Sequence, residues 1–235
     1  MFHLSLAGYP FTVDNRYEYV KALCRDYWTQ KPGELITVSK EDIAREQTDG
    51  GHWPASYLES LAVYRAICER LVARDVVLFH CSALAYRQRG YLFAAPSGTG
   101  KSTHARLWRE VLGDAVRMIN DDKPLLRITS DGVTVYGTPF AGKEGLQENS
   151  SAPPVAGIVL LHQAGTNSIR KLSPQEAYPM LLNQTYRPKD AAGLIKTLEL
   201  VQRLSELPVY SMGCTISREA VALAVQTLTG QELPS

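Results

Sequence analysis

The chain is short of the features that mark several protein classes. Its four cysteines, Cys24, Cys68, Cys81 and Cys214, form no C-x-x-C pair and no metal-ligand cluster. Neither a redox motif nor a cysteine-based metal site is expected, and reduced thiols in the cytoplasm are the default. No apolar run approaches the ~20 residues of a membrane span, so no membrane partner is expected. The 25 Lys and Arg against 24 Asp and Glu leave a formal net charge of +1, which gives no reason to expect a nucleic-acid partner. Met1 to Gly8 lacks a basic n-region and runs into Tyr9-Pro10, so a signal peptide is not expected and a cytoplasmic location is. Internal repeats and low-complexity tracts are missing too. What remains is 235 residues, 45% hydrophobic and 21% charged. That suits one large domain, or a domain with a small appendage.

One stretch organises the rest. Ala95-Pro96-Ser97-Gly98-Thr99-Gly100-Lys101-Ser102-Thr103 reads A-x-x-x-x-G-K-S, a phosphate-binding loop with Ala in place of the first Gly. The apolar run Tyr91 to Ala95 leads in as a strand, and Lys101 to Val111 leads out as a helix. Gly98 and Gly100 let the backbone turn its N–H groups inward around phosphate oxygens. The helix N-terminus adds partial positive charge. Ser97 to Thr103 are therefore the candidate nucleotide-binding residues, with Lys101 at the β- and γ-phosphates of ATP and Ser102 at Mg²⁺.

Around this loop the chain reads as alternating strands and helices. Residues 1–55 form a small, strand-rich portion: Phe2 to Leu6 and Leu35 to Val38 as strands, Glu18 to Trp28 as a short helix, and Asp49-Gly50-Gly51 as a loop. Ser56 stands three residues before Glu59, the spacing of a capping box, and opens a helix over about 57–73. Val76 to His80 and an alternating Ser82 to Tyr86 are strands, with a turn at Gln88-Arg89-Gly90, and local pairing is expected among them. Gly113 stops the P-loop helix. Ala115 to Ile119 is a strand, and Pro124 to Ile128 and Val133 to Tyr136 flank a hairpin turn at Ser130-Asp131-Gly132. A glycine-rich loop covers Gly137 to Gly145. Val155 to Leu161, Ile169 to Leu172 and Pro208 to Met212 are strands. Ser173-Pro174-Gln175-Glu176 and Asp190 open helices, and Ser217 to Leu228 is the last, closed by Gly230. The hairpins argue for a mixed sheet flanked by helices, not a purely parallel one.

A P-loop protein that transfers phosphate must also hold Mg²⁺ and orient an attacking group. Asp121 and Asp122 end a short apolar strand, where one carboxylate, assigned to Asp122, can take the metal with Ser102, and the other can accept a proton. Which of the two is the base stays open. His80, at a strand end feeding the site strand, is a third candidate. Lys143, among Gly137, Gly142 and Gly145, is positioned to offset transition-state charge. Glu144, Glu148 and Asn149 are weaker candidates. His104, His162, Arg106, Trp108 and Arg109 read as packing or surface residues.

His80, Gly98-Thr99-Gly100-Lys101-Ser102-Thr103, Asp121-Asp122 and Gly137-Thr138-Pro139-Phe140 with Gly142-Lys143 together resemble the HPr kinase/phosphorylase-related kinases. That group shares its catalytic fold with phosphoenolpyruvate carboxykinase. The resemblance spans about 56–220 and is strongest over 78–149. It implies a P-loop α/β fold of that kind in residues 56–235, an aspartate of the Asp121-Asp122 pair as base for the acceptor hydroxyl, and the option of a homo-oligomer. The short N-terminal portion and the missing HPr-docking motif point to the short relatives. Some of those accompany peptide-modification systems, and others phosphorylate small hydroxyl compounds. The expected activity is ATP-dependent phosphorylation of a hydroxyl on a peptide, protein or small molecule. A kinase of the nucleoside-kinase type, which would need an arginine-rich lid, is the enzyme alternative. A nucleotide-binding regulatory or peptide-binding module without phosphotransfer is the other.

Overall fold

The computed structural model describes residues 1–48, 51–150 and 152–233. In chain order the first elements are β1 (Phe2–Leu6), β2 (Tyr9–Asp14), α1 (Glu18–Leu23), β3 (Glu34–Thr37), α2 (Lys40–Ala44) and α3 (Ala55–Val72). Then come β4 (Val76–Leu78), β5 (Ser82–Tyr86), β6 (Arg89–Ala94), α4 (Lys101–Leu112), β7 (Val116–Asn120), β8 (Leu125–Thr129) and β9 (Gly132–Tyr136). The chain continues with β10 (Val155–Gln163), β11 (Ser168–Lys171), α5 (Pro174–Gln184), α6 (Ala191–Leu204), β12 (Val209–Cys214) and α7 (Arg218–Thr229).

The main sheet has six strands in the order β11-β12-β10-β6-β5-β7. Strand β6 lies beside β10 in parallel and beside β5 antiparallel, so the sheet is mixed. Alternating side chains of β6 explain its layers. Tyr91 and Phe93 join Trp108 of α4 and Val221 and Val225 of α7 on one face. Leu92 and Ala94 join Ala177 of α5 and Leu200 and Leu204 of α6 on the other. Each large side chain so buried contributes ~1.5–3 kcal/mol over its exposed state. Because both faces are covered, every residue of Ser82–Tyr86 is buried, and the alternation expected of that strand is not seen. The hairpin between β5 and β6 turns on Arg87 and Gln88, one residue earlier than expected. Both have positive φ, 51° and 61°, as a turn matching strand twist requires.

Two smaller sheets flank this one. Strand β4 pairs with β8 in the sheet β4-β8-β9, which corrects the expectation that Val76 to His80 pairs with its sequence neighbours. Strand β4 also stops at Leu78, so His80 lies beyond its end. The sheet β1-β2-β3 and α1 pack against α3 through Leu4, Phe11, Val20, Val63, Ile67 and Leu71. Helix α1 ends at Leu23, and a single 3-10 turn over Arg25–Tyr27 replaces the rest of the expected helix. Asp49 and Gly50 of the expected loop lie outside the described residues.

The capping box expected at Ser56 and Glu59 does not form. Helix α3 starts at Ala55 behind Pro54, with no side-chain cap. Glu59 instead is fully buried and accepts hydrogen bonds from the backbone N–H groups of Arg16 and Tyr17 at 2.6 and 3.0 Å. A buried carboxylate needs such donors, and here it ties the N-terminal portion to α3. The cap at Ser173 does form, with Glu176 reciprocating.

His104 supplies a pH-dependent element. It is 2% exposed, lies edge-on to Phe93, and its Nε2 accepts from Trp108 Nε1 at 3.1 Å. Burial pushes its pKa down to about 4. A histidine whose folded pKa is depressed favours folding above its unfolded value of about 6.5, and that contribution is lost as pH falls toward 4. Thermal unfolding should therefore show stability falling over that window, by an amount on the order of 3 kcal/mol when complete. His104→Gln keeps an acceptor for Trp108 without the titration and should flatten the slope. An unchanged slope in the variant would refute the assignment.

Candidate active site

Strand β6 delivers the chain to Ala95 at the middle of the main sheet, and α4 begins at Lys101. The connecting loop turns through Gly98 at φ 78° and Gly100 at φ 114°, left-handed values that side chains resist. A Cβ at either position would meet nothing within 4 Å, so backbone conformation, not crowding, calls for glycine there. Ser97, Gly98 and Ser102 are exposed, while Thr99, Gly100 and Thr103 are partly covered. The first turn of α4 opens onto this space, and free N–H groups at a helix start attract anions.

Lys101 is only 8% exposed, and its Nζ donates to Ala95 O at 3.0 Å. Burial pushes its pKa down, and the nearby Asp122 charge works in the opposite direction. The ammonium thus sits folded over the mouth of the loop between a carbonyl and a carboxylate.

Asn120, at the end of β7, shapes the acidic turn. It is fully buried, and its Oδ1 accepts from the backbone N–H groups of Asp122 and Lys123 at 2.9 and 2.6 Å. Its Nδ2 donates to Thr138 O at 3.0 Å. Two neighbouring carboxylates then point to different partners. Asp121, 5% exposed, accepts at Oδ1 from Gly142 N at 2.6 Å. A Cβ at Gly142 would lie 3.1 Å from Asp121 Oδ2, so glycine lets this loop approach the carboxylate. Asp122 Oδ1 lies 3.0 Å from His80 Nε2, and its Oδ2 accepts from Lys123 Nζ. Burial works to raise the Asp122 pKa. The hydrogen bonds and charges of His80 and Lys123 outweigh it and hold the carboxyl at about 2.

His80 is placed by the C-terminal end of α5. Its backbone N–H donates to Gln184 O at 2.7 Å. With its amide nitrogen turned toward them, Gln184 also donates to Ala95 O and His80 O, each at 3.3 Å. Lys143 is exposed on the loop held by Asp121. The far part of that loop is held by the N-terminal portion, where Tyr27 Oη donates to Gln147 Oε1 at 2.5 Å and Asn149 donates to Asp26 O. Glu144 pairs with Arg109 of α4 at 3.6 Å, which gives that helix arginine a contact beyond packing.

These groups face one cleft of about 520 Å³. Ser97, Gly98, Gly100, Lys101, Ser102 and Thr103 line one side, and His80, Asp121, Asp122, Gly142 and Lys143 the other. Thr99, Glu148 and Asn149 do not line this cleft; Thr99 lines a second cavity, of about 500 Å³, together with Gly98, Gly100 and Thr103. Sequence reasoning passed over Asn120, Lys123, Thr138 and Gln184. An Asn directly before Asp-Asp-Lys-Pro was a usable signal for the first, because Asn side chains bond their own backbone two residues on.

Fold and site together define a mixed α/β protein with a glycine loop, a buried lysine and an acidic turn around one cleft. No family model and no curated protein matches the chain. A solved structure of the Hpr(Ser) kinase/phosphatase from Coxiella burnetii aligns with 54% of this chain and 90% of its own, at 16% identity and a TM-score of 0.31. A likeness at that score carries no weight for function. No helix among the described residues is long and apolar enough to cross a membrane.

Proposed function

We propose that the chain is an ATP-dependent phosphotransferase acting on a hydroxyl, with a P-loop fold of the phosphoenolpyruvate carboxykinase-like kind. The observation that carries this reading is the single cleft shared by the loop Ser97 to Thr103, the Asp121-Asp122 turn, His80 and Lys143. Loop N–H groups, the α4 start and Lys101 hold the phosphates. Leu107, Thr215 and Ile216, which line the second cavity, would hold the nucleoside. Ser102, Asp121 and Asp122 offer the hard oxygen donors that suit Mg²⁺, with phosphates and water supplying the rest; the ion, when bound, neutralises phosphate charge.

The chain's own groups divide the remaining work. Asp122 stays ionised at neutral pH and orients the His80 ring, and the pair accepts the hydroxyl proton. Asp121 positions the Gly142–Lys143 segment through the Gly142 N–H. Lys143 offsets charge developing on the transferring phosphoryl group. Residues 1–55 serve as a buttress that holds the far part of this loop through Tyr27 and Asp26.

Lys143→Ala tests the arrangement. Turnover of ATP, with water as acceptor, should fall ~10²-fold while ATP affinity changes little, because the contact forms in the transition state. Wild-type kinetics in this variant would return Lys143 to an ordinary loop residue.

A further inference from the structure

The cleft has a neighbour on the far side of His80. A cavity of about 310 Å³ lies between α3 and the segment following α5, and it shares His80 with the cleft. Its exposed surface is mainly apolar, with Leu61, Tyr64, Cys68, Leu78 and Tyr186 in the wall, and Asn183, Gln184 and Thr185 add uncharged polar groups. Lys123, bonded to Asp122, forms the rim beside His80. A molecule seated here meets His80, whose Nε2 lies 3.0 Å from Asp122 Oδ1.

The charges around this cavity are already matched. Arg65 gives both its Nε and an Nη to Glu46, at 2.6 and 2.8 Å, and its guanidinium lies 5.7 Å from the centre of the Tyr186 ring. Lys123 is paired with Asp122. Tyr186 Oη donates to Glu69 at 3.1 Å. An anionic or cationic occupant would compete with one of these pairs and leave a partly buried charge without its partner. An uncharged occupant disturbs none of them. The volume is at the low end of small-molecule sites, about 300–1,000 Å³.

We propose that this cavity is the acceptor subsite and that it selects an uncharged alcohol with a small apolar body. The proposal rests on the phosphotransferase reading above. In the step it implies, the alcohol oxygen bonds to the γ-phosphorus of ATP. The bond from that phosphorus to the β,γ-bridging oxygen breaks, and its electron pair leaves on ADP. The alcohol proton passes to the His80–Asp122 pair. The wall residues here are specificity-determining, not catalytic.

The test uses the full chain, ADP, and benzyl alcohol as probe, with benzoate and benzylamine as charged counterparts. Benzyl alcohol should perturb the NMR methyl signals of Leu61 and Leu78 in the wild type, and the charged probes should not. Leu61→Trp, which fills the cavity from a half-buried position, should weaken benzyl alcohol binding at least tenfold and leave ADP affinity unchanged. The methyl readout needs no variant, so a misfolded Leu61→Trp does not block the result. Intact ADP binding with no alcohol at these methyls sinks the subsite alone. So does equal binding of the three probes, or alcohol binding that Leu61→Trp leaves unchanged. A wild type that ignores ADP sinks the phosphotransferase reading on which the subsite depends.

Discussion

Asp122→Asn is expected to keep nucleotide binding, with a raised Mg²⁺ requirement, and to lose roughly 10²–10⁴-fold in γ-phosphate transfer, the range a general base supplies. The carboxylate makes two charge-assisted contacts, to His80 Nε2 and to Lys123 Nζ. An amide has one acceptor oxygen and no charge, so it cannot satisfy both. His80 loses the group that fixes its ring, and the pair can no longer take a proton. Nucleotide affinity should persist, because the loop from Ser97 to Thr103 and Lys101 stand on other elements. The assay is single-turnover release of labelled phosphate to water, followed from about pH 5 to 9. His80→Ala should keep ATP binding and move the pH profile. If both Asp121→Asn and Asp122→Asn release phosphate at the wild-type rate, the chain is better described as a nucleotide-binding module without phosphotransfer.

Lys101→Ala should fold and lose most nucleotide affinity. The lysine is 8% exposed; its hydrogen bond from the ammonium to Ala95 O is worth about 1.5–3 kcal/mol, and the cost of burying the ammonium offsets it. Removing it should thus cost the fold little. With nucleotide bound, the same ammonium would meet phosphate charge in a partly desolvated place. Charge-assisted bonds there are worth about 1.5–3 kcal/mol each, so a loss of roughly 10- to 100-fold in affinity is expected. Its depressed pKa makes this a group whose charge is costly without a partner, as expected of a lysine kept for an anion.

The strand, glycine loop and helix around Lys101 were legible because three local signals coincide: an apolar run, Gly98 and Gly100, and a helical repeat after Lys101. The Ser173 cap and the Ser130-Asp131 turn were legible for the same reason, since the chemistry lies within a few residues. Other features depend on distant partners. Glu59 has capping-box spacing, but its donors are Arg16 and Tyr17, more than forty positions earlier. Strand β4 is apolar like its neighbours, and only tertiary packing sends it to β8. Strand β2 was hidden by Pro10, which precedes the start of its pairing with β3 at Phe11 and so costs that ladder no hydrogen bond. At the site, Asp121 and Asp122 were visible as a pair, but which of them meets His80, and that the other turns to Gly142, was not.

Calorimetric titration of the wild type and Lys101→Ala with ATP in the presence of Mg²⁺ tests whether the glycine loop holds a nucleotide. The wild type should bind one nucleotide per chain and the variant at least tenfold more weakly, with both proteins unfolding cooperatively at similar temperatures. No heat of binding in the wild type, or the same affinity in both proteins, would contradict it.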